Sequence, residues 1–126
     1  MRQILLDSDI LIFSQKAEYS VIRTKLIGKR FNVSLITKLE ALGYHQINPG
    51  EQALLRTIIS AIPVLPINDE LIDMAITLRQ QQKMQTADAI IAATALTHGL
   101  ELWTNNVKDF KHVANLKIYN PLEDEK

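Results

Sequence analysis

The hydrophobic positions of this chain change repeatedly between short continuous runs and helical spacing. Ile4 to Leu6 form the first continuous run, which is typical of a strand buried on both faces of a parallel sheet. Similar runs predict further strands at 31–34, 64–67, 100–103 and 116–119. Pro66 cannot donate a hydrogen bond to a neighbouring strand, so we expect the 64–67 strand at the periphery of the sheet.

Apolar residues at helical spacing lie between these runs. The pattern predicts a first helix that begins near Ile10 and a second that ends before Gly28. Further helices are predicted from Ser34 to about residue 45 and over about 51–60, 69–79, 86–98 and 107–113. Ser8 or Asp9 is expected to cap the first helix, and residues 48–50 to interrupt the chain before the fourth. Strands that alternate with helices predict an α/β fold, in which helices cover both faces of a parallel sheet.

Length and composition are those of an ordinary globular chain. We expect one domain over residues 1–126, with an acidic tail at about 122–126. Apolar residues make up 47% and no apolar run approaches the roughly 20 residues of a membrane-spanning helix. The run before Asp7 is too short for a secretory signal, and the absence of cysteine suits a reducing compartment. A cytoplasmic protein without a membrane segment is therefore expected.

The formal net charge is zero, because 14 basic residues balance 14 acidic ones. The distribution is uneven, since residues 16–30 contain one acid and five basic residues: Lys16, Arg23, Lys25, Lys29 and Arg30. One interpretation is a solvated helix face. The other is a flank that contacts nucleic-acid phosphates.

A few acids lie in otherwise apolar parts of the chain. Asp7 and Asp9 follow the first strand, and the carboxyl ends of parallel strands meet at one edge of a sheet, where ligands bind. Glu40 has no basic residue three or four positions away in its helix. Asp88 begins a helix whose same-face neighbours are apolar, so a metal ion or another segment must compensate its charge. Helix capping and the helix dipole remain alternative explanations for the aspartates.

The types of residue present limit the chemistry. Mg²⁺ prefers oxygen ligands, several of which are carboxylates in proteins. Zinc is disfavoured because the chain has no cysteine and its three histidines have no paired ligand spacing. The chain also lacks the glycine-rich phosphate loops and the GxSxG nucleophile motif.

Four segments in this order resemble a known family. Leu5–Ile10, Glu40, Thr86–Ala95 and Leu102–Phe110 are similar to the motifs of PIN-domain nucleases, especially the VapC-like toxins of type II toxin–antitoxin pairs. The resemblance extends from about residue 3 to residue 121. It implies a PIN-like three-layer α/β/α sandwich with a central parallel sheet, and an endoribonuclease that requires Mg²⁺ or Mn²⁺.

The resemblance also implies a set of site residues. Asp7 and Asp88 would hold the metal most directly, and Glu40 would complete the pocket or orient the attacking water. Asn106 stands where the family often has a fourth acid, which predicts weaker metal binding. The supporting residues would be Ser8, Asp9, Thr104 and Asp109, with Asp109 as the less favoured substitute for the fourth acid. Contacts with the RNA backbone would come from Arg23, Lys25, Lys29 and Arg30.

The implied partners are an RNA substrate, a cognate antitoxin protein and a second copy of the chain. Two alternatives remain open. One is a catalytically weak or silent PIN-fold module that binds RNA or protein, which the departure at Asn106 would favour. The other is a receiver-like phosphoacceptor domain, which has a similar length and similar N-terminal acids but would keep an acid and a lysine at strand ends where this chain has neither.

Overall fold

A computed structural model of the chain describes residues 3–123, which are arranged around a five-stranded sheet. The strands are β1 (Gln3–Leu6), β2 (Arg30–Ser34), β3 (Val64–Leu65), β4 (Glu101–Trp103) and β5 (Ile118–Tyr119). Their order is β3-β2-β1-β4-β5, and every neighbouring pair is parallel. In the central strand, Leu5 lies opposite Asn32 of β2 and Leu102 of β4. The predicted parallel sheet and the peripheral position of β3 are confirmed.

Six α-helices connect the strands. They are α1 (Ser8–Ser14), α2 (Ser20–Leu26), α3 (Leu35–Leu42), α4 (Pro49–Ser60), α5 (Asp69–Gln81) and α6 (Thr86–His98). Short 3-10 helices lie at Ala17–Tyr19 and Val107–Asp109. None of the helices within residues 3–123 is both long and apolar enough to cross a bilayer.

The side chains of β1 alternate between two hydrophobic cores, one on each face of the sheet. Leu5 packs in a core with residues of α5, α6 and β4. Ile4 and Leu6 point to the other face, where they pack with residues of α1, α2 and α4. Because successive residues of a strand face opposite sides, the apolar run Ile4–Leu6 packs against both layers of helices. The structure thus confirms the three-layer α/β/α arrangement.

The order of the strands creates a crevice beside β1. The chain moves outward from β1 to β2 and β3, and then returns across the sheet so that β4 pairs with the other edge of β1. The connection that follows β1 therefore leads to one side of the sheet, and the connection that follows β4 leads to the other. In open α/β sheets, ligands bind in the crevice at the carboxyl ends of the strands at such a reversal.

The boundaries of α3 and α4 differ from the sequence-based prediction. The third helix ends at Leu42 instead of residue 45, because Gly43 closes it through a hydrogen bond to the Leu39 carbonyl. A Cβ at Gly43 would lie 2.6 Å from that carbonyl oxygen, so a side chain does not fit this end. Residues 48–50 do not simply interrupt the chain. Asn48 caps α4 and Pro49 is its first residue. Proline is tolerated at this position because a backbone N–H there would have no partner within the helix.

Three other local predictions were wrong. Asp7, and not Ser8 or Asp9, is the N-cap of α1. Residues 107–113 form only a single 3-10 turn at 107–109, because local bonds such as Phe110 N–H to the Val107 carbonyl close it before an α-helix develops. The outer strands are limited to two residues each, at 64–65 and 118–119. Of the predicted acidic tail, residues 124–126 lie outside the described part of the chain.

We predict that Asn48→Ala lowers the free energy of unfolding by about 1 kcal/mol. Asn48 Oδ1 accepts the Glu51 N–H at 2.8 Å, and the Glu51 carboxylate accepts the Asn48 N–H at 3.3 Å. The substitution removes the side-chain acceptor of the Glu51 N–H in the first turn of α4. Urea unfolding measures the change. Gln46→Ala, an exposed change just outside the helix, is the control, and equal stability of the two variants would contradict the prediction.

Candidate active site

A buried carboxylate lies in the crevice between β1 and β4. Asp7 follows β1 directly and is only 5% exposed. Its Oδ1 accepts the Ser8 N–H and its Oδ2 accepts the Thr104 hydroxyl, each at 2.8 Å. Thr104, which follows β4, is completely buried. The bond between these residues joins the carboxyl ends of the two strands at the point where the sheet order reverses.

The turn after β4 is tied to the same crevice. The Asn106 N–H donates to Thr104 Oγ1 at 3.0 Å, so the threonine hydroxyl accepts from the turn while it donates to Asp7. Asp9 Oδ2 accepts the Asn105 N–H at 3.1 Å and the Asn106 side-chain amide at 3.4 Å. Burial, followed by the negative charge of Asp7, raises the pKa of Asp9 to about 7. Asp9 therefore connects the start of α1 to this turn, and the amide of Asn106 donates to it.

Four carboxylates interact electrostatically at this edge of the sheet. Burial is the main cause that raises the pKa of Asp7; the hydrogen bonds from Thr104 and Ser8 oppose it, and the charges of Glu40 and Asp109 add to it. Burial also raises the pKa of Asp88 to about 6, with further contributions from the charges of Asp7, Asp109 and Glu40. The structure thus brings together the three acids singled out from the sequence.

Different elements supply these acids. Glu40 lies on α3, which begins directly after β2 with Ser34 as its cap. Asp88 lies in the first turn of α6, which follows α5 and not a strand. Asp109 ends the short 3-10 helix after β4. Asp88 therefore reaches the crevice from the layer of helices. The other acids lie on segments that directly follow the carboxyl ends of strands.

Asp109 is more prominent in the structure than the sequence analysis anticipated. It is within electrostatic range of both Asp7 and Asp88, whereas the side chain of Asn106 is hydrogen-bonded to Asp9. The signal for Asp109 in the sequence was its position three residues after Asn106, which made it the less favoured substitute for the fourth acid. Sequence reasoning also missed Lys83, Lys108 and His112, which line a cavity with Asp88 and Asp109. Lys108 and His112 are four residues apart in the sequence, but no local pattern connects them with Lys83.

The oxygen atoms in the crevice are of the chemical types that bind a hard divalent cation. The crevice offers carboxylate, hydroxyl and amide oxygens, which are the ligand types of Mg²⁺ and Mn²⁺. Among residues 3–123, no basic side chain forms an ion pair with these acids, so no direct contact with a cation compensates their mutual repulsion. In the same residues, no three acids or histidines converge closely enough to form a ready-made metal centre.

The basic residues of segment 16–30 do not gather around the acids. An Arg23 Nη atom donates to the carbonyls of Ser14 and Lys16, at 2.6 and 3.3 Å. Lys25 Nζ donates to the Pro121 carbonyl at 2.8 Å and lies 5.5 Å from the centre of the Tyr119 ring. Arg23 and Lys29 line a largely apolar groove between α1, α2 and α4, and Arg30 is exposed on β2. None of these basic residues lines the cavity beside Asp88.

Comparison with known proteins gives a consistent result. The family model of the PIN domain matches residues 4–116. Ribonuclease VapC1 from Rickettsia felis is 26% identical over 125 residues, which cover 91% of this chain and 93% of that protein.

Solved structures share the same architecture. A chain of a toxin–antitoxin complex from Klebsiella pneumoniae is 29% identical, with a TM-score of 0.79 over 96% of this chain and 99% of that one. A chain of DNA-bound VapBC from Salmonella typhimurium has a TM-score of 0.80 at 22% identity, over 96% and 99% of the two chains. The second likeness shows the fold alone. Because the PIN-domain model spans most of the sequence, the chain belongs to the PIN-domain family.

Proposed function

We propose that this protein is an endoribonuclease that depends on Mg²⁺ or Mn²⁺ and serves as the toxin of a toxin–antitoxin pair. The observation that carries the proposal is the buried Asp7–Thr104 hydrogen bond, which lies within electrostatic range of Glu40, Asp88 and Asp109. The similarity to Ribonuclease VapC1 supports RNA as the substrate. Membership of the PIN-domain family argues against the receiver-like alternative. A cytoplasmic location, where transcripts are found, is part of the same proposal.

In the proposed reaction, the protein holds charged side chains around the phosphodiester of the RNA. Thr104 and Ser8 hold the carboxylate of Asp7 in one orientation through its two oxygens. Asp7 and Asp88 would hold the divalent ion, which, when bound, supplies an activated water and offsets negative charge on the phosphoryl oxygens. Glu40 would orient the attacking water and accept its proton. Asp109 would be the fourth acid, since the amide of Asn106 donates to Asp9.

A second candidate is a PIN-fold module that binds RNA or protein without efficient catalysis. The observation in its favour is that the position where the family often has an acid is an amide, and that amide is hydrogen-bonded to Asp9. Within residues 3–123 the acids also do not converge as a formed metal centre. Activity of the wild-type protein distinguishes the two candidates.

We propose that the antitoxin occupies the groove between α1, α2 and α4. This groove has a volume of about 600 Å³ and is lined mainly by apolar side chains, including those of Leu26, Phe31 and Leu54. Ile27 at its edge is 76% exposed. Gln15 also lines the groove, and its buried Nε2 has no hydrogen-bond partner among the described residues, so it could donate to the backbone of a bound peptide. The solved relatives that are toxin–antitoxin complexes support this type of partner.

A homodimer stays a prediction from the resemblance to the family. The surface of α3 offers an apolar contact for it, because Leu35 and Leu39 are 45% and 67% exposed. Both residues line a second apolar groove together with Leu42 and Ile67. Self-association at this surface would place two crevices on one particle, since Glu40 belongs to the same helix.

We predict that Asp7→Asn and Asp88→Asn each lower RNA cleavage by on the order of 100-fold or more. Each change removes one charge at nearly constant volume, and asparagine retains the ability to cap α1. Cleavage of structured RNAs in Mg²⁺ is measured with and without chelator. Asp73→Asn, an exposed change on α5, is the control. Equal activity of wild type and both site variants would refute the nuclease proposal. An inactive wild type together with an active Asn106→Asp variant would favour the second candidate.

We predict that the metal-free protein is more stable at pH 5 than at pH 8. The pKa values of Asp88 and Asp9 are raised from about 3.8 to about 6 and about 7 on folding. The folded state therefore binds these protons more tightly than the unfolded state. The resulting stabilisation is complete below pH 3.8 and is lost as the pH rises through 6 and 7.

With chelator, the melting temperature is expected to change by roughly 8 °C. This corresponds to on the order of 1 kcal/mol for each of the two groups after solvent screening. Asp88→Asn should show a smaller pH dependence than wild type, and Asp73→Asn should not. Added Mg²⁺ should raise the melting temperature more at pH 8 than at pH 5, because it binds ionised carboxylates. A larger effect of Mg²⁺ at pH 5 would contradict the prediction.

We predict that Ile27→Asp weakens binding of the cognate antitoxin by at least about tenfold. The change places a charge at the edge of an apolar groove, where it would be desolvated by a bound peptide. Isothermal titration with the purified antitoxin measures the affinity. Ile76→Asp is the matched control, because Ile76 is also an exposed isoleucine, 48% accessible, but lies on α5. Equal weakening by both variants would show that the groove is not the specific contact.

A further inference from the structure

A cavity of about 420 Å³ lies beside Asp88, on the opposite side of the sheet from the α1–α2–α4 groove. The end of α5, the start of α6 and the turn after β4 surround it. Asp88 and Asp109 line it together with four basic or titratable side chains: Arg79, Lys83, Lys108 and His112. The cavity therefore places cationic groups next to two members of the acidic cluster.

We propose that this cavity binds a phosphate of the RNA strand next to the one that is cleaved, with Lys83 and Lys108 as its main contacts. This inference rests on the proposed ribonuclease function and names the part of the chain that holds its substrate. Cationic side chains that neutralise phosphates supply the salt-dependent part of nucleic-acid affinity. The four acids of the crevice cannot supply it, because their charge repels a polyanion.

The cations of this cavity are available for such a contact. Within residues 3–123, Lys83, Lys108 and His112 form no ion pair and no side-chain hydrogen bond. Arg79 is held in place because its Nε donates to the Met84 carbonyl at 3.1 Å. The cations and the acids thus share a cavity without neutralising each other.

The competing location is the basic segment 16–30, and the structure favours it less. Arg23 and Lys25 already donate to backbone carbonyls. Lys29 lines the apolar groove on the other face of the sheet. A strand that followed these residues would approach a hydrophobic surface, whereas a strand in the cavity beside Asp88 would pass directly from cations to acids.

The N-terminus of α6, which has no side-chain cap, makes a smaller contribution to phosphate binding in this cavity. Gln85, which lines the cavity, is the N-cap residue of α6 and its side chain makes no capping bond. α2 also begins without a side-chain cap, whereas the caps of α1, α3, α4 and α5 are made by side chains. The partial positive charge of the α6 terminus therefore acts at the edge of the same cavity.

The test measures binding and cleavage in parallel. A fluorescent single-stranded RNA of 12 nucleotides is titrated by anisotropy into the Asp7→Asn protein at several KCl concentrations. Lys83→Gln and Lys108→Gln should each weaken binding roughly 3- to 10-fold at low salt. Each should also lower the slope of log affinity against log salt by about 0.7. Lys117→Gln, an exposed lysine at the amino end of the sheet, is the matched control and should bind as the parent does.

Cleavage by the otherwise wild-type protein in Mg²⁺ gives the second readout. Lys83→Gln and Lys108→Gln should raise KM by a similar 3- to 10-fold while kcat stays within about twofold, because they remove ground-state binding and no reacting group. A disturbance of the fold would instead lower kcat and the melting temperature together.

The outcomes separate this inference from the function on which it rests. If the wild-type protein neither binds nor cleaves RNA, the proposed function and the inference both fail. If it cleaves RNA while the Lys83 and Lys108 variants keep the parent KM and salt slope, only the inference is overturned. If Lys29→Gln loses RNA binding and the Lys83 and Lys108 variants do not, the inference is overturned in favour of segment 16–30.

Discussion

A buried carboxylate held between two parallel strands is the constraint on which the functional end of this molecule depends. Asp7 accepts hydrogen bonds from Ser8 and Thr104, so both of its oxygens are oriented although it is almost inaccessible to water. Burial of a charged group is costly unless hydrogen bonds or an opposite charge compensate for it. The chain supplies the hydrogen bonds but leaves the charge uncompensated within residues 3–123, which is the condition under which a divalent cation would stabilise the site.

The charges around this carboxylate are arranged by the strand order. Because β4 pairs with β1 on the side opposite to β2, the turn after β4 lies over the start of α1, and α3 approaches from the other side. Acids from three separate segments then act on Asp7 and Asp88. The cations beside Asp88 lie at the border of this cluster and not inside it. A chain with no net charge can in this way keep a strongly acidic crevice and a cationic cavity side by side.

Most of the fold was predictable, because it depends on periodicity and on residues with strong local preferences. The continuous run Ile4–Leu6 predicted the central strand, and Gly99 ended α6 in the left-handed conformation that glycine readily adopts. The errors lie at element ends. Proline at a helix start and proline as a helix breaker look alike in sequence, so the start of α4 at Pro49 was assigned two residues late. Residues 107–113 have helical spacing but close through local 3-10 bonds over Phe110, which is fully buried.

The sequence by itself determined which acids were available, because Glu40 and Asp88 have no local partner for their charge and Asp7 directly follows an apolar strand. It also placed the amide of Asn106 where the resemblance to PIN-domain nucleases leads us to expect a fourth acid. Only the tertiary structure decided that this amide donates to Asp9, that Asp109 acts on the cluster, and that Lys83 and Lys108 meet beside Asp88. The physical reason is that most of these relations join residues from about 20 to about 100 positions apart. Strand order and register set such distances, and helical or strand periodicity carries no information about them.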